Sequence, residues 1–489
     1  MMIAHNYLTN LSRFLPELIT ILTMLATMLM EATYSLKEKS RTWVGITALI
    51  GLVVALFLSL CSGSLPEAFL FTKSIVVSPF TQYAKGLILF AGIGCIYVNF
   101  LSKDIYEDFK SEYLILMIGV IIGGMLLISA QNLLTFYLGI ETLSLMSYVM
   151  ASLKKYNTKS NEAGIKYALY GGLAAGMMLF GLSHLYGVLG TLDFQEIGVK
   201  LSQPLRQVDK MILAPSFLLF LVGIGFKISM APFHMWTPDV YEGSPIPTTT
   251  FFSLVPKMAG IIGLVHATHQ MIPENSMMYP IWMNLLTLLS VVTMFVGNIC
   301  AINQKSIKRM LAYSSISHAG YMIVGVIVNT KQAQSALLFY GLNYVFMILT
   351  SFTILSIVSN EYGNDHFDRF RGFFYRSPFM SVCLVICMFS LAGLPPFGGF
   401  VAKYQLINAA ILSGRPLYLL IVMLVLNSVI SLYYYMKLVR YMIFLSPESQ
   451  DQQEPLAELQ YTSNYLAVAA SCLPILILGI FWGRFFPHL

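Results

Sequence analysis

The sequence is poor in charged residues. Asp, Glu, Lys and Arg make up only 11% of its 489 residues, whereas 57% are hydrophobic and the mean hydropathy is +0.72. Soluble domains carry about 25% charged residues, so this composition excludes an ordinary soluble domain. Apolar runs long enough to cross a hydrocarbon core of roughly 30 Å recur along the whole chain. We therefore predict an all-α polytopic membrane protein.

Cysteine and nucleotide-binding motifs are also scarce. The six cysteines are scattered, with no CxxC pair and no Cys/His cluster, so the sequence contains neither an iron–sulfur nor a zinc motif. It has no P-loop and no Rossmann glycine motif, which argues against a nucleotide-binding or hydrolytic enzyme. The net charge of +6 lies mainly in short loops, where it sets membrane topology, so we expect no contact with nucleic acid.

About fourteen transmembrane helices are predicted, and they fall into four segments. Residues 1–112 hold helices 1–3, and residues 445–489 hold helix 14. Between them lie two related five-helix units, 113–270 and 279–444, each with one broken helix. The first apolar run lacks the flanks of a cleaved signal peptide, so we expect it to remain as a helix.

Lysine and arginine are distributed unevenly between the two sides of the predicted membrane. Loops on the N-terminal side hold nine of them and loops on the other side hold sixteen, together 25 of the 29 in the chain. The positive-inside rule places the richer side in the cytoplasm and both termini outside. The four basic residues that have no loop are Lys166, Lys227, Lys257 and Lys403.

Two predicted spans are interrupted by proline. The span 210–235 breaks at Pro232, and the span 377–412 breaks at Pro395 and Pro396; each break is flanked by one of the four lysines. Such paired breaks in two halves indicate an inverted repeat around an ion site. Proline frees backbone groups that hydrocarbon cannot satisfy, so we expect water or protein to receive them. The alternative is a simple packing kink.

A buried lysine needs either a partner or the loss of its proton. A charge at the bilayer centre costs about 2.5–3.5 kcal/mol on insertion scales. Glu141, in the middle of a span, is the natural partner, and we predict a Glu141–Lys227 pair whose loosening would release a proton from the lysine. The alternative is that Glu141 is a purely structural partner.

The other candidates each have two interpretations. Lys166 is either a relay or a side chain that reaches the surface, and Lys257 and Lys403 are either proton carriers or structural lysines. His318 lies among serines in mid-span and is either a relay or a core histidine. His234 follows the first break and is a possible exit group.

Three motifs carry a family resemblance: "KISMAPFHMWTPDVYEGSP", "SIKRMLAYSSISHAGY" and "LAGLPPFGGFVAKYQL". Over about residues 110–440 the chain resembles the antiporter-like membrane subunits of respiratory complex I, the proton-pumping NADH–quinone oxidoreductase. Lysine rather than glutamate at position 403, and a chain that ends soon after its last span, make it most similar to the N-type subunits.

The resemblance implies a function and a set of partners. Electron transfer to quinone elsewhere in the complex would drive protons through this chain, which has no redox centre and binds no cofactor; FMN and the iron–sulfur clusters would belong to other subunits. The partners would be other membrane-arm subunits in a bacterial inner membrane. The titratable residues implied are Glu141, Lys227, Lys257, Lys403, Lys166 and His318.

Two other functions are compatible with the sequence. One is a Mrp-type cation/proton antiporter subunit, although lysines at the deep sites disfavour a hard cation, which prefers several oxygen ligands. The other is a structural scaffold for the membrane arm, in which the lysines carry no protons.

Overall fold

The computed structural model describes residues 10–34, 38–447 and 462–485. An N-terminal unit precedes the repeats and consists of α1 (Leu15–Tyr34), α2 (Glu38–Ser62), the hairpin β1 (Ala68–Leu70) and β2 (Ile75–Val77), and α3 (Pro79–Leu101). The hairpin, which was not predicted, is antiparallel and pairs Phe69 with Val76.

The remaining helices follow in two units and a tail. The first unit holds α4 (Lys110–Ser129), α5 (Leu133–Ala151), α6 (Thr158–Leu189), α7 (Phe194–Leu201), α8 (Gln207–Lys227), α9 (Trp236–Gly243) and α10 (Ile246–Met271). The second holds α11 (Tyr279–Ile302), α12 (Ile307–Val328), α13 (Lys331–Tyr362), α14 (Phe373–Arg376), α15 (Pro378–Ala392), α16 (Gly398–Leu412) and α17 (Tyr418–Phe444). The tail holds α18 (Thr462–Ile480) and α19 (Trp482–Phe485), and 3-10 turns lie at Glu107–Phe109 and Phe367–Phe370.

Membrane crossings agree with the predicted architecture. Within the described residues, 13 helices are long and apolar enough to cross a membrane, and α15 with α16 forms one more crossing in two pieces. The predicted all-α polytopic fold is therefore confirmed. Because each repeat makes five crossings, an odd number, the second repeat enters the membrane from the side opposite to the first. The segment boundaries themselves stay a prediction, and residues 448–461 and 486–489 of the last one lie outside the described residues.

The long helices α6 and α13 show the repeat most directly. Each has 32 residues, and each begins with a polar N-cap, at Asn157 and Thr330. Each ends at a left-handed glycine, Gly190 with φ 64° and Gly363 with φ 68°, a conformation that side chains with a Cβ rarely adopt. Equivalent local signals thus bound equivalent helices in the two units.

Both predicted breaks occur, and they have the same backbone geometry. The Ala231–Pro232 and Pro395–Pro396 bonds are cis. Three residues before each cis proline the backbone turns left-handed, at Ser229 with φ 61° and Gly393 with φ 87°. The next N–H in each, of Met230 and Leu394, donates five residues back, over 2.8 and 3.0 Å. The left-handed residue and the N–H group that follows it show that each break is a hydrogen-bonded turn and not a simple kink.

The core of the molecule lies where the two repeats meet. The central windows of α10, α12 and α13 are 100%, 94% and 89% buried, against about a third for α1 and α2. Such helices face protein on all sides, so polar groups on them are shielded from lipid.

Helices α4 and α5 approach each other through glycines, which gives a test of the packing. A Cβ added at Gly123 would lie 2.5 Å from the backbone N of Leu143, so Gly123→Ala forces the two helices apart. We expect it to destabilise the protein by about 1–3 kcal/mol. The measurement is thermal unfolding of the detergent-solubilised protein. The matched control is Gly172→Ala on α6, where nothing lies within 4 Å of the added methyl group, and which should not lower the midpoint. Equal midpoints for the two variants would contradict the close approach.

Candidate functional site

Lys227 ends α8 inside a cage of aromatic rings. Its Nζ donates to the Tyr167 hydroxyl over 3.1 Å and lies 5.2 Å and 6.0 Å from the ring centres of Tyr167 and Tyr148. Trp236, the first residue of α9, stacks on Tyr167 at 4.3 Å and donates its indole N–H to the Phe226 carbonyl. Aromatic faces stabilise a buried cation, so the break between α8 and α9 builds the surroundings of this lysine.

The predicted direct pair of Lys227 with Glu141 is not formed in the structure. Within the described residues, no carboxylate lies in ion-pair contact with Lys227, and Oε1 of Glu141 is buried without a hydrogen-bond partner. The physical reason is that the Tyr167 hydroxyl satisfies the ammonium group instead. The two charges still interact electrostatically across the gap.

Lys257 joins the two repeats. It lies on α10, 1% exposed, and its Nζ donates to Oγ of Ser315 on α12 over 2.6 Å. One turn further along α12, the ring of His318 bonds to the hydroxyls of Tyr340 at 2.6 Å and Tyr435 at 3.2 Å. A lysine of the first repeat and a histidine of the second therefore lie on one polar line.

Lys403 donates hydrogen bonds to backbone carbonyls that have no helical partner at the second break. It lies on α16, and its Nζ donates to the carbonyls of Leu391 at 3.2 Å and Ala392 at 2.9 Å, the last two residues of α15. These carbonyls are the orphan acceptors at the negative end of the helix dipole. Ser428 accepts a further bond at 2.7 Å, and the Tyr321 ring lies 4.6 Å away.

The other two candidates lie at the edges of this line. Lys166 reaches the surface: its side chain is 35% exposed and pairs with Glu162 at 2.6 Å and with Asp239 of α9 at 2.8 Å. Of the two interpretations left open for Lys166, the structure therefore shows the side chain that reaches the surface. His234 is buried in the first break, and its Nδ1 has no hydrogen-bond partner among the described residues.

Charged side chains fix the short helix α9 to α12. Arg309 of α12 pairs with Asp239 at 2.9 Å and with Glu242 at 2.7 Å. Lys308, which is buried, donates to the carbonyls of Glu242 and Ser244 at the end of α9. The half-helix that positions Trp236 over Tyr167 is thus held by the second repeat.

Two pairings were missed because buried lysines were counted as loop residues. Lys85 is fully buried and pairs with Glu17 over 2.6 Å, and Lys308 is buried as well. Helix α3 begins at Pro79, after a Ser78 cap whose side chain accepts from the Thr81 N–H. A serine followed by proline is a helix-start signal, so the sequence did contain the information that places Lys85 inside the helix.

Asp104, in the connection before α4, anchors the start of α10. It pairs with Lys154 over 2.6 Å and accepts from the Ile246 N–H over 2.9 Å. Burial opposes its ionisation, but the charges of Lys154 and Lys308 and these two hydrogen bonds outweigh burial and hold the pKa of the Asp104 carboxyl below its ordinary 3.8.

A pH dependence of stability follows from this lowered pKa. A depressed carboxyl pKa stabilises the fold above the ordinary value of 3.8 and loses that contribution as pH falls through the folded value. We expect Asp104→Asn to lower stability by about 1.5–3 kcal/mol at neutral pH, as for hydrogen bonds to charged groups. Thermal midpoints of both proteins in detergent should differ by a constant amount from pH 7 to about pH 5 and converge below about pH 4. A difference that persists unchanged at the lowest pH would contradict an ionised Asp104.

Comparisons with known proteins agree with this geometry. A family model described as "NADH:quinone oxidoreductase/Mrp antiporter, TM" matches residues 130–431. NADH-quinone oxidoreductase subunit N of Trichlorobacter lovleyi is 37% identical over 444 residues, 90% of this chain and 89% of that protein. A chain of respiratory complex I from Thermus thermophilus superposes with a TM-score of 0.80 at 30% identity, covering 96% of this chain and 98% of its own.

The same fold occurs in a Mrp complex. A chain of the Mrp complex from Dietzia superposes with a TM-score of 0.79 at 18% identity, covering 97% of this chain and 95% of its own, which shows a shared fold only. Identity is higher for the oxidoreductase relatives, at 37% and 30% against 18%. The chain therefore belongs to the NADH:quinone oxidoreductase/Mrp antiporter transmembrane family, in the group of NADH–quinone oxidoreductase subunit N.

Proposed function

We propose that the chain is a proton-translocating membrane subunit of an NADH–quinone oxidoreductase. The observation that carries the proposal is the buried line of Lys227, Lys257, His318 and Lys403 across two repeats, each of which contains a broken helix. Ionisable groups inside membrane proteins are costly and mark ion or proton paths. Membership of the oxidoreductase family adds the source of energy, which is electron transfer elsewhere in the complex.

The partners of the three deep lysines suit proton transfer. Lys227 donates to a tyrosine hydroxyl, Lys257 to a serine, and Lys403 to carbonyls and a serine. Within the described residues none of the three ammonium groups is held by a carboxylate. Loss of a proton therefore breaks no ion pair, and the protonation state of each lysine can follow nearby charge and hydration.

The line between the last two lysines contains a relay. His318 lies between them and interacts electrostatically with both Lys257 and Lys403. Its ring centre is 5.6 Å from that of Tyr321, whose ring faces Lys403. We propose entry from the cytoplasm by Glu141, Lys227 and Lys257, passage through His318, and exit by Lys403; His234 would serve the first break.

The remaining assignments follow from the same proposal. The chain would bind no cofactor and have no catalytic centre of its own, while other subunits would hold FMN, the iron–sulfur clusters and the quinone site. It would contact neighbouring membrane-arm subunits and lie in a bacterial inner membrane with both termini outside. The four-segment division at 1–112, 113–270, 279–444 and 445–489 would then correspond to an N-terminal unit, two half-channels and a tail.

Proton pumping by the assembled complex tests the proposal. We expect Lys227→Ala and Lys403→Ala each to lower the number of protons pumped per NADH oxidised, because each removes one step of the line. The measurement is proton uptake by inverted membrane vesicles during NADH oxidation, normalised to assembled complex. Lys155→Ala, which removes an exposed lysine, is the matched control and should pump normally. Full pumping by Lys227→Ala or by Lys403→Ala would reject the role assigned to that lysine. It would favour the alternative in which the chain is a structural scaffold for the membrane arm.

Cation exchange by the isolated chain separates the antiporter alternative. The shared fold and the family description make this alternative concrete. We expect the purified chain in liposomes not to exchange Na⁺ or K⁺ against a pH gradient, because three ammonium donors occupy the deep positions where a hard cation needs oxygen ligands. A pH dye inside the liposomes reports the exchange. Exchange that Lys257→Ala abolishes would favour the antiporter.

A further inference from the structure

A second buried charge pair lies outside both repeats, in the N-terminal unit. Glu17 of α1 and Lys85 of α3 are joined by a 2.6 Å ion pair, and their side chains are 2% and 0% exposed. Removing two charges from water costs about as much as their attraction returns, so well-packed apolar residues would stabilise this position equally well. Stability therefore does not explain the pair, and paired ionisable residues within transmembrane segments are rare and commonly functional.

Buried amides surround the pair with unused hydrogen-bonding capacity. Gln82 lies one turn before Lys85 and accepts from the Ser59 hydroxyl, while its Nε2 has no partner among the described residues. Gln131, between α4 and α5, accepts at Oε1 from Nε2 of His266 over 3.1 Å, and its own Nε2 has no hydrogen-bond partner among the described residues. Both amides are fully buried. Such orphan donors are the groups that bridging water satisfies in protein interiors.

Helix α10 connects this pair to the lysine line. Position Gly124 brings α3 and α10 together, since a Cβ there would meet Ile88 at 3.2 Å and Ala259 at 3.3 Å. Lys85 lies one turn from Ile88 and His266 two turns from Ala259, both toward the side of the membrane on which α1 begins. The Lys85 charge acts on His266 electrostatically, and His266 Nε2 lies 3.1 Å from Gln131 Oε1.

The same helix leads on to the surface. His266 lies nine residues beyond Lys257 on α10, roughly 13 Å along the axis. His266 is buried, whereas His269, one turn further on, is exposed. Lys257, His266 and His269 follow one helix from the core to the N-terminal side of the membrane.

We propose that Glu17, Lys85 and His266 form a proton-holding site between Lys257 and the N-terminal side of the membrane, with His269 exchanging protons with water. The inference rests on the proposed function and adds a second outlet for the first repeat. His266 takes up a proton on one ring nitrogen and passes one on to His269. Lys85 repels a positive charge on His266, and Glu17 offsets that repulsion while it is paired with Lys85, so the closeness of the pair sets how long His266 holds its proton. The stretch of α10 between Lys257 and His266 is apolar, so the first step needs water.

Two variants of the assembled complex test the site. The double variant Glu17→Gln with Lys85→Met removes both charges together, so that no buried charge is left unpaired. His266→Gln keeps a side chain that can bond to Gln131 but cannot carry a proton. In inverted vesicles we expect both to pump fewer protons per NADH, by a loss comparable with that of Lys227→Ala measured in parallel, at a normal content of assembled complex.

Arg206→Gln with Asp209→Asn neutralises a surface ion pair on the same side of the membrane and should pump normally. Normal pumping by both test variants, or loss of assembly in both, shows a structural tie and overturns the site. If Lys227→Ala still lowers pumping in those cases, only this inference fails; if Lys227→Ala also pumps normally, the proposed function fails.

Discussion

Two membrane helices stop in the middle of the molecule, and the rest of the site depends on how their open ends are satisfied. Hydrocarbon offers no partner for a free carbonyl, so the protein has to supply one. At the second break it is the ammonium group of Lys403, which donates to the last two carbonyls of α15. At the first break the indole N–H of Trp236 reaches the Phe226 carbonyl. At the second break the cationic group thus satisfies the helix end directly.

This arrangement explains why a lysine is tolerated at such depth. The negative end of a helix dipole and the faces of tyrosine rings stabilise a cation without a carboxylate. Lys403 has both, and Lys227 has two tyrosine rings and a hydroxyl. Neutral acceptors stabilise the ammonium group less than a carboxylate would, so less free energy opposes the loss of its proton. Glu141, unbonded at Oε1, remains near enough to shift that balance.

Sequence reasoning located three deep lysines and both helix breaks, but not the contacts of the side chains, for a physical reason. Counting basic residues against loops identified Lys227, Lys257 and Lys403 as buried, and proline spacing located both breaks, because hydropathy and proline act along the chain. The partner of a side chain depends on the rotation of its helix and on distant segments. Hence Glu141 was chosen by charge, whereas the observed acceptor is Tyr167, one of 28 tyrosines and without any distinguishing sequence signal. Lys85 was missed because it was counted among the loop residues, although α3 begins at Pro79.

The two halves are not independent half-channels, because each completes the site of the other. Ser315 of the second repeat accepts from Lys257 of the first, and Arg309 holds the half-helix that places Trp236 beside Lys227. A shift of α12 would therefore change the surroundings of Lys227 and Lys257 together. A change of charge at either Lys257 or Lys403 would alter the electrostatic potential at His318. Because α12 contacts both repeats, a change in its position would couple the lysine sites of the two repeats without any additional structural element.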